Sequence, residues 1–149
     1  MAPKMTMGFE VNYKKLMELG MDWADYLGFE TGEFLLELPT RSLPPDWERM
    51  VFQLQGKGYT VIIAHPERYK PVQENLDIVR QFIGAGCKIQ VSADFMGEGS
   101  FSPIKKTAKK LFEEDLVNFI ASDAHGPLAY ELLWRARKEF FAKGAHARM

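Results

Sequence analysis

The chain has 149 residues, 46% hydrophobic and 26% charged, a composition that suits one globular domain and excludes a chain disordered as a whole. Lys+Arg is 19 and Asp+Glu is 20, and the resulting net charge of -1 argues against a bulk electrostatic grip on nucleic acid or anionic lipid. A single cysteine excludes an internal disulfide and a Cys-based zinc finger. No apolar run approaches the roughly 20 residues that span a bilayer, and MAPKMTMGFE carries no leader-like apolar core. A cytoplasmic protein without membrane insertion or nucleic-acid partner is expected.

In chain order, residues 5–11 read as a strand and residues 13–19 as a short helix, while 22–32 has no clear period. Residues 34–38 read as the second strand. After Pro44-Pro45, Trp47, Met50, Val51 and Leu54 recur at helical spacing. Residues 59–64 form the third strand, whose continuous VIIA run suits a strand covered on both faces. Val72, Leu76, Val79 and Ile83 make the next helical stripe, closed by Gly84-Ala85-Gly86. Residues 88–93 are the fourth strand. Ser102-Pro103 then opens a helix with Ile104, Ala108, Leu111 and Phe112 on one face and Lys105, Lys106, Lys109 and Lys110 on the other, solvated one. Residues 117–121 are the fifth strand, Pro127 opens a last helix with Ala129, Leu132, Leu133, Ala136 and Phe140 on one face, and 144–149 is expected to be a disordered basic tail. This alternation predicts an α/β domain of about five mostly parallel strands joined by right-handed crossovers. Alternation alone does not choose between an open sheet and a barrel, and five strands are too few for a full eight-stranded barrel.

Parallel α/β domains gather their chemistry at the carboxyl ends of the strands. Here the strand ends carry Glu10, Glu37, His65-Pro66-Glu67-Arg68, Asp94, and Ser122-Asp123-Ala124-His125. Every predicted strand thus delivers a carboxylate or an imidazole to one edge. Asp123 and His125, two apart in an extended segment, point to the same face and make a platform for a divalent metal. Carboxylate plus imidazole without thiolate suits Mn, Fe or Zn. Arg68 offers a fork of donors that matches phosphate oxygens, or alternatively a salt bridge to Glu67 or another carboxylate. Glu37, between leucines and before Pro39, reads as a supporting carboxylate more than as a ligand, and Asp94 is open between the two roles. Cys87 has no arginine six positions on, so the loop of thiolate phosphatases is absent and Cys87 reads as a small core residue.

The segments Ile63-Ala64-His65-Pro66-Glu67-Arg68-Tyr69 and Phe119-Ile120-Ala121-Ser122-Asp123-Ala124-His125 resemble the manganese-dependent protein-tyrosine phosphatases of bacterial capsule and exopolysaccharide operons, members of the polymerase-and-histidinol-phosphatase (PHP) superfamily. Gly8-Phe9-Glu10-Val11, Leu36-Glu37-Leu38-Pro39, the stretch from Gly86 to Gln90, and Gly97 with Gly99 extend the likeness. The resemblance implies a distorted, TIM-like (β/α) barrel of PHP type, here a partial one, and metal-assisted hydrolysis of a phosphate ester without a covalent intermediate. It implies Glu10, His65, Asp123 and His125 as metal ligands. Arg68 is implied as the phosphate-binding catalytic residue alongside catalytic Asp123; the strand-end reading adds Glu37, Glu67 and Asp94 as supporting carboxylates behind them. The implied partner is a phosphotyrosine protein, the tyrosine kinase of polysaccharide export.

The family opens on a His-x-His strand, whereas this chain has three histidines and none before His65. The expectation is therefore a truncated single domain that holds one or two divalent ions, Mn foremost, and self-associates to cover its shortened side. Two other readings stay open at this point: a non-catalytic binding or assembly relative, and a phosphoesterase of small metabolites.

Overall fold

A computed structural model of the chain describes residues 10–20, 32–121 and 146–148. Strand β1 (Glu10–Asn12) runs directly into helix α1 (Tyr13–Leu19). Then come β2 (Glu33–Glu37), α2 (Trp47–Gly56), β3 (Thr60–Ala64), a 3-10 turn (Pro66–Arg68), α3 (Lys70–Glu74) and α4 (Asp77–Gly84). They are followed by β4 (Lys88–Ser92), a second 3-10 turn (Ala93–Gly97), α5 (Pro103–Glu113), β5 (Phe119–Ala121) and β6 (His146–Arg148). The strands lie in chain order from β1 to β6, and each neighbouring pair is parallel.

The period-two alternation of the strands sorts their side chains onto two faces. Phe34, Leu36, Val61, Ile63, Ile89, Val91 and Ile120 join one continuous core with residues from all five described helices, among them Leu16, Leu54, Val72, Phe82 and Leu111. The alternate residues Leu35, Ile62, Ala64 and Phe119 form a separate cluster. The described helices therefore cover one face of the sheet. A doubly wound sheet carries helices on both faces and reverses its strand order at a switch point. Sequential parallel strands with helices on one side are instead the wall of a (β/α) barrel. The described strands do not close on themselves, and their order is compatible with part of such a wall. Among the described residues, no helix is long and apolar enough to cross a membrane.

The helices follow their sequence stripes with one exception. In α2, Trp47, Met50, Val51 and Leu54 are buried, and in α5 Ala108, Leu111 and Phe112 are. The stripe from Val72 to Ile83 is not one helix: Asn75 adopts an extended backbone between α3 and α4, and its side-chain oxygen accepts the Asp77 N–H at 3.1 Å. The break shifts the phase of the second half. Phe82 is fully buried, with its ring edge-on to Trp47, while Ile83 is 38% exposed. Gly86 then turns the chain with φ +94°, a conformation that costs a side-chain-bearing residue, and a Cβ there would lie 2.8 Å from Gln55 Nε2.

The expected disordered tail is a further correction, because His146, Ala147 and Arg148 pair with Phe119, Ile120 and Ala121 as β6. Backbone pairing to the edge of β5 makes this strand, without any apolar pattern of its own. The first expected strand is described from Glu10 onward. Residues 22–31 and the helix expected after Pro127 lie outside the described residues.

Candidate active site

The carboxyl ends of β2 and β3 bring two chemically active side chains together. Pairing of Leu36 with Ile63 sets Glu37 beside Ala64, one residue short of His65. Had β3 continued, the alternation would have sent residue 65 back to the helix-covered face with Ile63. Instead His65 takes the left-handed conformation, φ 40° and ψ 56°, rare for a residue with a Cβ and characteristic of functional sites. Pro66 assists by disfavouring the right-handed helical conformation at the residue before it. The turn is held by His65 N–H donating to the Gln90 carbonyl at 2.7 Å and Arg68 N–H donating to the His65 carbonyl at 3.0 Å.

In this pose His65 Nε2 stands 3.3 Å from Glu37 Oε2. The imidazole is buried and the carboxylate partly open, at 31% exposure. Asn12, at the end of β1, donates its side-chain amide to Glu37 Oε1 at 3.2 Å, while its carbonyl oxygen caps α1 by accepting the Lys14 N–H at 2.9 Å. Ligand atoms that share an ion at about 2.1 Å each stand roughly 3 Å apart. The spacing and the O,N chemistry of this pair therefore fit a divalent metal. Among the described residues, no group of three or more His, Cys, Asp or Glu side chains gathers around one point.

A second pair lies on the same edge. Arg68 Nη2 is 3.1 Å from Asp94 Oδ2 and 3.5 Å from Ser92 Oγ. Ser92 Oγ also accepts the Asp94 N–H at 3.4 Å, which opens the turn after β4. The guanidinium thus pairs with Asp94 and not with its neighbour Glu67. Glu67 points inward and is completely buried, where its Oε2 accepts the Ser92 N–H at 3.0 Å. Its other oxygen is buried without a hydrogen-bond partner among the described residues. Burial pushes this carboxyl up to about 7, against the opposing pull of the His65 charge, the Ser92 N–H and the Arg68 charge. Cys87 lies at the opposite, amino-terminal end of β4, and burial pushes its thiol up to about 12, so it is no nucleophile.

Of the residues singled out from the sequence, His65 and Glu37 meet, Arg68 and Asp94 meet, and Glu67 ties the His65–Arg68 turn to β4. Glu37 touches the imidazole directly, a contact open both to a supporting carboxylate and to a ligand. Glu10 lies on β1 opposite Leu35 in register. Asp123 and His125 follow β5 and lie outside the described residues. Asn12 and Ser92 were not singled out from the sequence. Both stand at strand ends, and extending the strand-end argument from ionisable to neutral polar residues would have found them.

The chain matches a family model described as capsular polysaccharide synthesis, CpsB/CapC, over residues 1–130. CapC of Staphylococcus aureus is 34% identical over 113 residues, 73% of this chain and 44% of that protein. The tyrosine-protein phosphatase YwqE of Bacillus subtilis is 31% identical over 116 residues, 74% of this chain and 46% of that protein. A solved structure described as YwqE from Bacillus subtilis and CpsB from Streptococcus pneumoniae, metal-dependent tyrosine phosphatases, superposes with a TM-score of 0.72 at 29% identity. That likeness covers 93% of this chain and 57% of the solved one. The chain spans about half the length of the curated relatives it matches.

Proposed function

Because the chain belongs to the CpsB/CapC family of capsular polysaccharide synthesis, we propose that it carries the metal- and phosphate-binding edge of a phosphotyrosine phosphatase. The substrate is a tyrosine-phosphorylated protein of capsule or exopolysaccharide synthesis, the tyrosine kinase of polysaccharide export. The observation that carries the reading is the placement of Glu37 against His65 on the same sheet edge as Arg68 against Asp94.

Glu37 and His65 hold the metal, with Glu10, Asp123 and His125 completing its ligand set. Oxygen and imidazole donors without thiolate favour Mn, with Fe and Zn as alternatives, at one or two ions per chain. When bound, such an ion supplies Lewis acidity and a water of lowered pKa. The protein groups do the rest. Asn12 fixes the Glu37 carboxylate, and Arg68 directs its fork at the non-bridging phosphate oxygens, where negative charge is held through the transition state. Asp94 and Ser92 keep the guanidinium extended across the edge. Cys87 takes no part, so no phosphocysteine forms.

The test is hydrolysis of a phosphotyrosine peptide by the purified chain, with MnCl2 and after chelation. Turnover that requires Mn, is lost with EDTA and is lost in His65→Ala supports the proposal. Stoichiometric Mn binding without turnover would favour the assembly-protein reading, and turnover indifferent to chelation would overturn the metal-dependent one.

A further inference from the structure

Tyr69 closes the AHPERY segment. It is 1% exposed, so its hydroxyl is deep in the molecule and must be satisfied there. It is satisfied twice: the hydroxyl accepts the Leu38 N–H at 2.9 Å and donates to the Ala64 carbonyl at 2.5 Å. Leu38 is the residue after Glu37, and Ala64 is the residue before His65.

The sheet register gives these two bonds their meaning. The Thr60 N–H donates to the Gly32 carbonyl, which fixes the ladder phase between β2 and β3. Stepping along the parallel ladder by two residues at a time, the rung after the last regular pair is Leu38 N–H to Ala64 C=O. Those are the two groups that the Tyr69 hydroxyl occupies. The phenol is inserted where the next rung would have been, and the strands part around it while both backbone groups stay satisfied. Its ring also stands edge-on to the His65 imidazole, with centroids 5.7 Å apart.

We infer that Tyr69 is a positioning residue whose hydroxyl pins the ends of β2 and β3 and so sets the bite between Glu37 and His65. The inference rests on the reading of that pair as metal ligands. Tyr69 touches neither metal nor substrate. It acts through the backbone on either side of the two ligands, and outer partners of this kind are worth about 10–100-fold in metal affinity.

Tyr69→Phe keeps the ring and deletes the pin. Mn2+ affinity is measured by calorimetry for the wild-type chain, Tyr69→Phe, and Val79→Ala, a core variant in α4 that lowers stability elsewhere. Amide hydrogen exchange at Leu38 is followed in parallel without metal. The expected result is 10–100-fold weaker Mn2+ binding in Tyr69→Phe, wild-type affinity in Val79→Ala, and faster Leu38 exchange in Tyr69→Phe alone. Affinity within twofold of wild type in Tyr69→Phe, or an equal loss in Val79→Ala, overturns the pin. If Tyr69→Phe does not fold, the wild-type Leu38 amide decides: slow exchange supports the bond and solvent-rate exchange refutes it. A wild-type chain that binds no Mn2+ overturns the metal-site reading, and the pin is then judged on Leu38 exchange.

Discussion

Arg68 Nη2 rests 3.1 Å from Asp94 Oδ2, and the two side chains are 32% and 34% exposed. An ion pair this open contributes at most about 1 kcal/mol to folding, so its value lies in aiming the guanidinium. Arg68→Ala is expected to leave the melting temperature nearly unchanged and to lower phosphotyrosine turnover by about 10²–10³-fold, the range for removal of a transition-state donor. Arg68→Lys recovers part of this, because an ammonium lacks the planar fork. Steady-state kinetics beside a thermal melt would check it; a large stability loss with normal turnover per folded molecule would contradict it.

Removing the charge of Glu37 tests the other pair. Glu37→Gln keeps the volume and the bond to Asn12 but weakens the donor 3.3 Å from His65. Losing a ligand should cost more than losing an outer partner, so divalent affinity is expected to fall by more than about tenfold. Competition against a chelating dye reads this directly, and an unaltered affinity would remove Glu37 from the ligand set.

The buried carboxyl of Glu67 makes a pH prediction with a definite sign. Its value rises from 4.5 in the open chain to about 7 when folded. Below 4.5 both states carry the proton, and its contribution is fully present. Between 4.5 and about 7 the unfolded chain has lost the proton while the folded one keeps it, so stability falls as pH rises through this window. The full effect is on the order of 3 kcal/mol. Glu67→Gln cannot titrate, so wild type should lose stability relative to it between pH 5 and pH 8 in urea unfolding. Parallel profiles for the two proteins would contradict the assignment.

The break at Asn75 predicts opposite behaviour at adjacent positions. Phe82→Ala empties a fully buried site against Trp47 and should cost about 3–5 kcal/mol. Ile83→Ala, at a residue 38% exposed, should stay within about 1 kcal/mol. Equilibrium denaturation of both variants decides, and a larger loss at residue 83 would mean an unbroken helix.

Gly86 stands at φ +94°, with the Gln55 side chain against the place a Cβ would take. Gly86→Ala is expected to destabilise by about 1–2 kcal/mol through the backbone conformation alone. Stabilisation on substitution would show that the turn relaxes.

These contrasts show what kind of information the sequence holds. Strands and helices were readable because their periods of 2.0 and 3.6 are local. Strand-end placement was readable because a parallel sheet sends all its carboxyl ends to one edge, which put Glu37, His65, Arg68 and Asp94 together before any contact was known. Partner choice was not readable. Whether Arg68 pairs with adjacent Glu67 or with distant Asp94 depends on the 3-10 turn that drives Glu67 inward to the Ser92 N–H. The contact between Glu37 and His65 was not readable for a similar reason: it forms because the imidazole leaves the strand's alternation, a backbone event with no side-chain signature. At Asn75 a single polar residue ends one helix and starts the next, too small a signal to interrupt an apolar stripe. β6 has no pattern at all, since its strand state is conferred by the neighbour it pairs with.

The placement of the described helices on one face of the sheet has a consequence for which substitutions this protein can absorb. Along β2, β3, β4 and β5, one set of alternate residues (Leu36, Ile63, Val91, Ile120) anchors the helices. The intervening set (Glu37, Ala64, Ser92, Ala121) leads onto the reactive rim. The two sets are neighbours in the chain yet face opposite sides of the sheet. Side chains at the rim can therefore be exchanged while Leu36, Ile63, Val91 and Ile120 still hold the helices to the sheet.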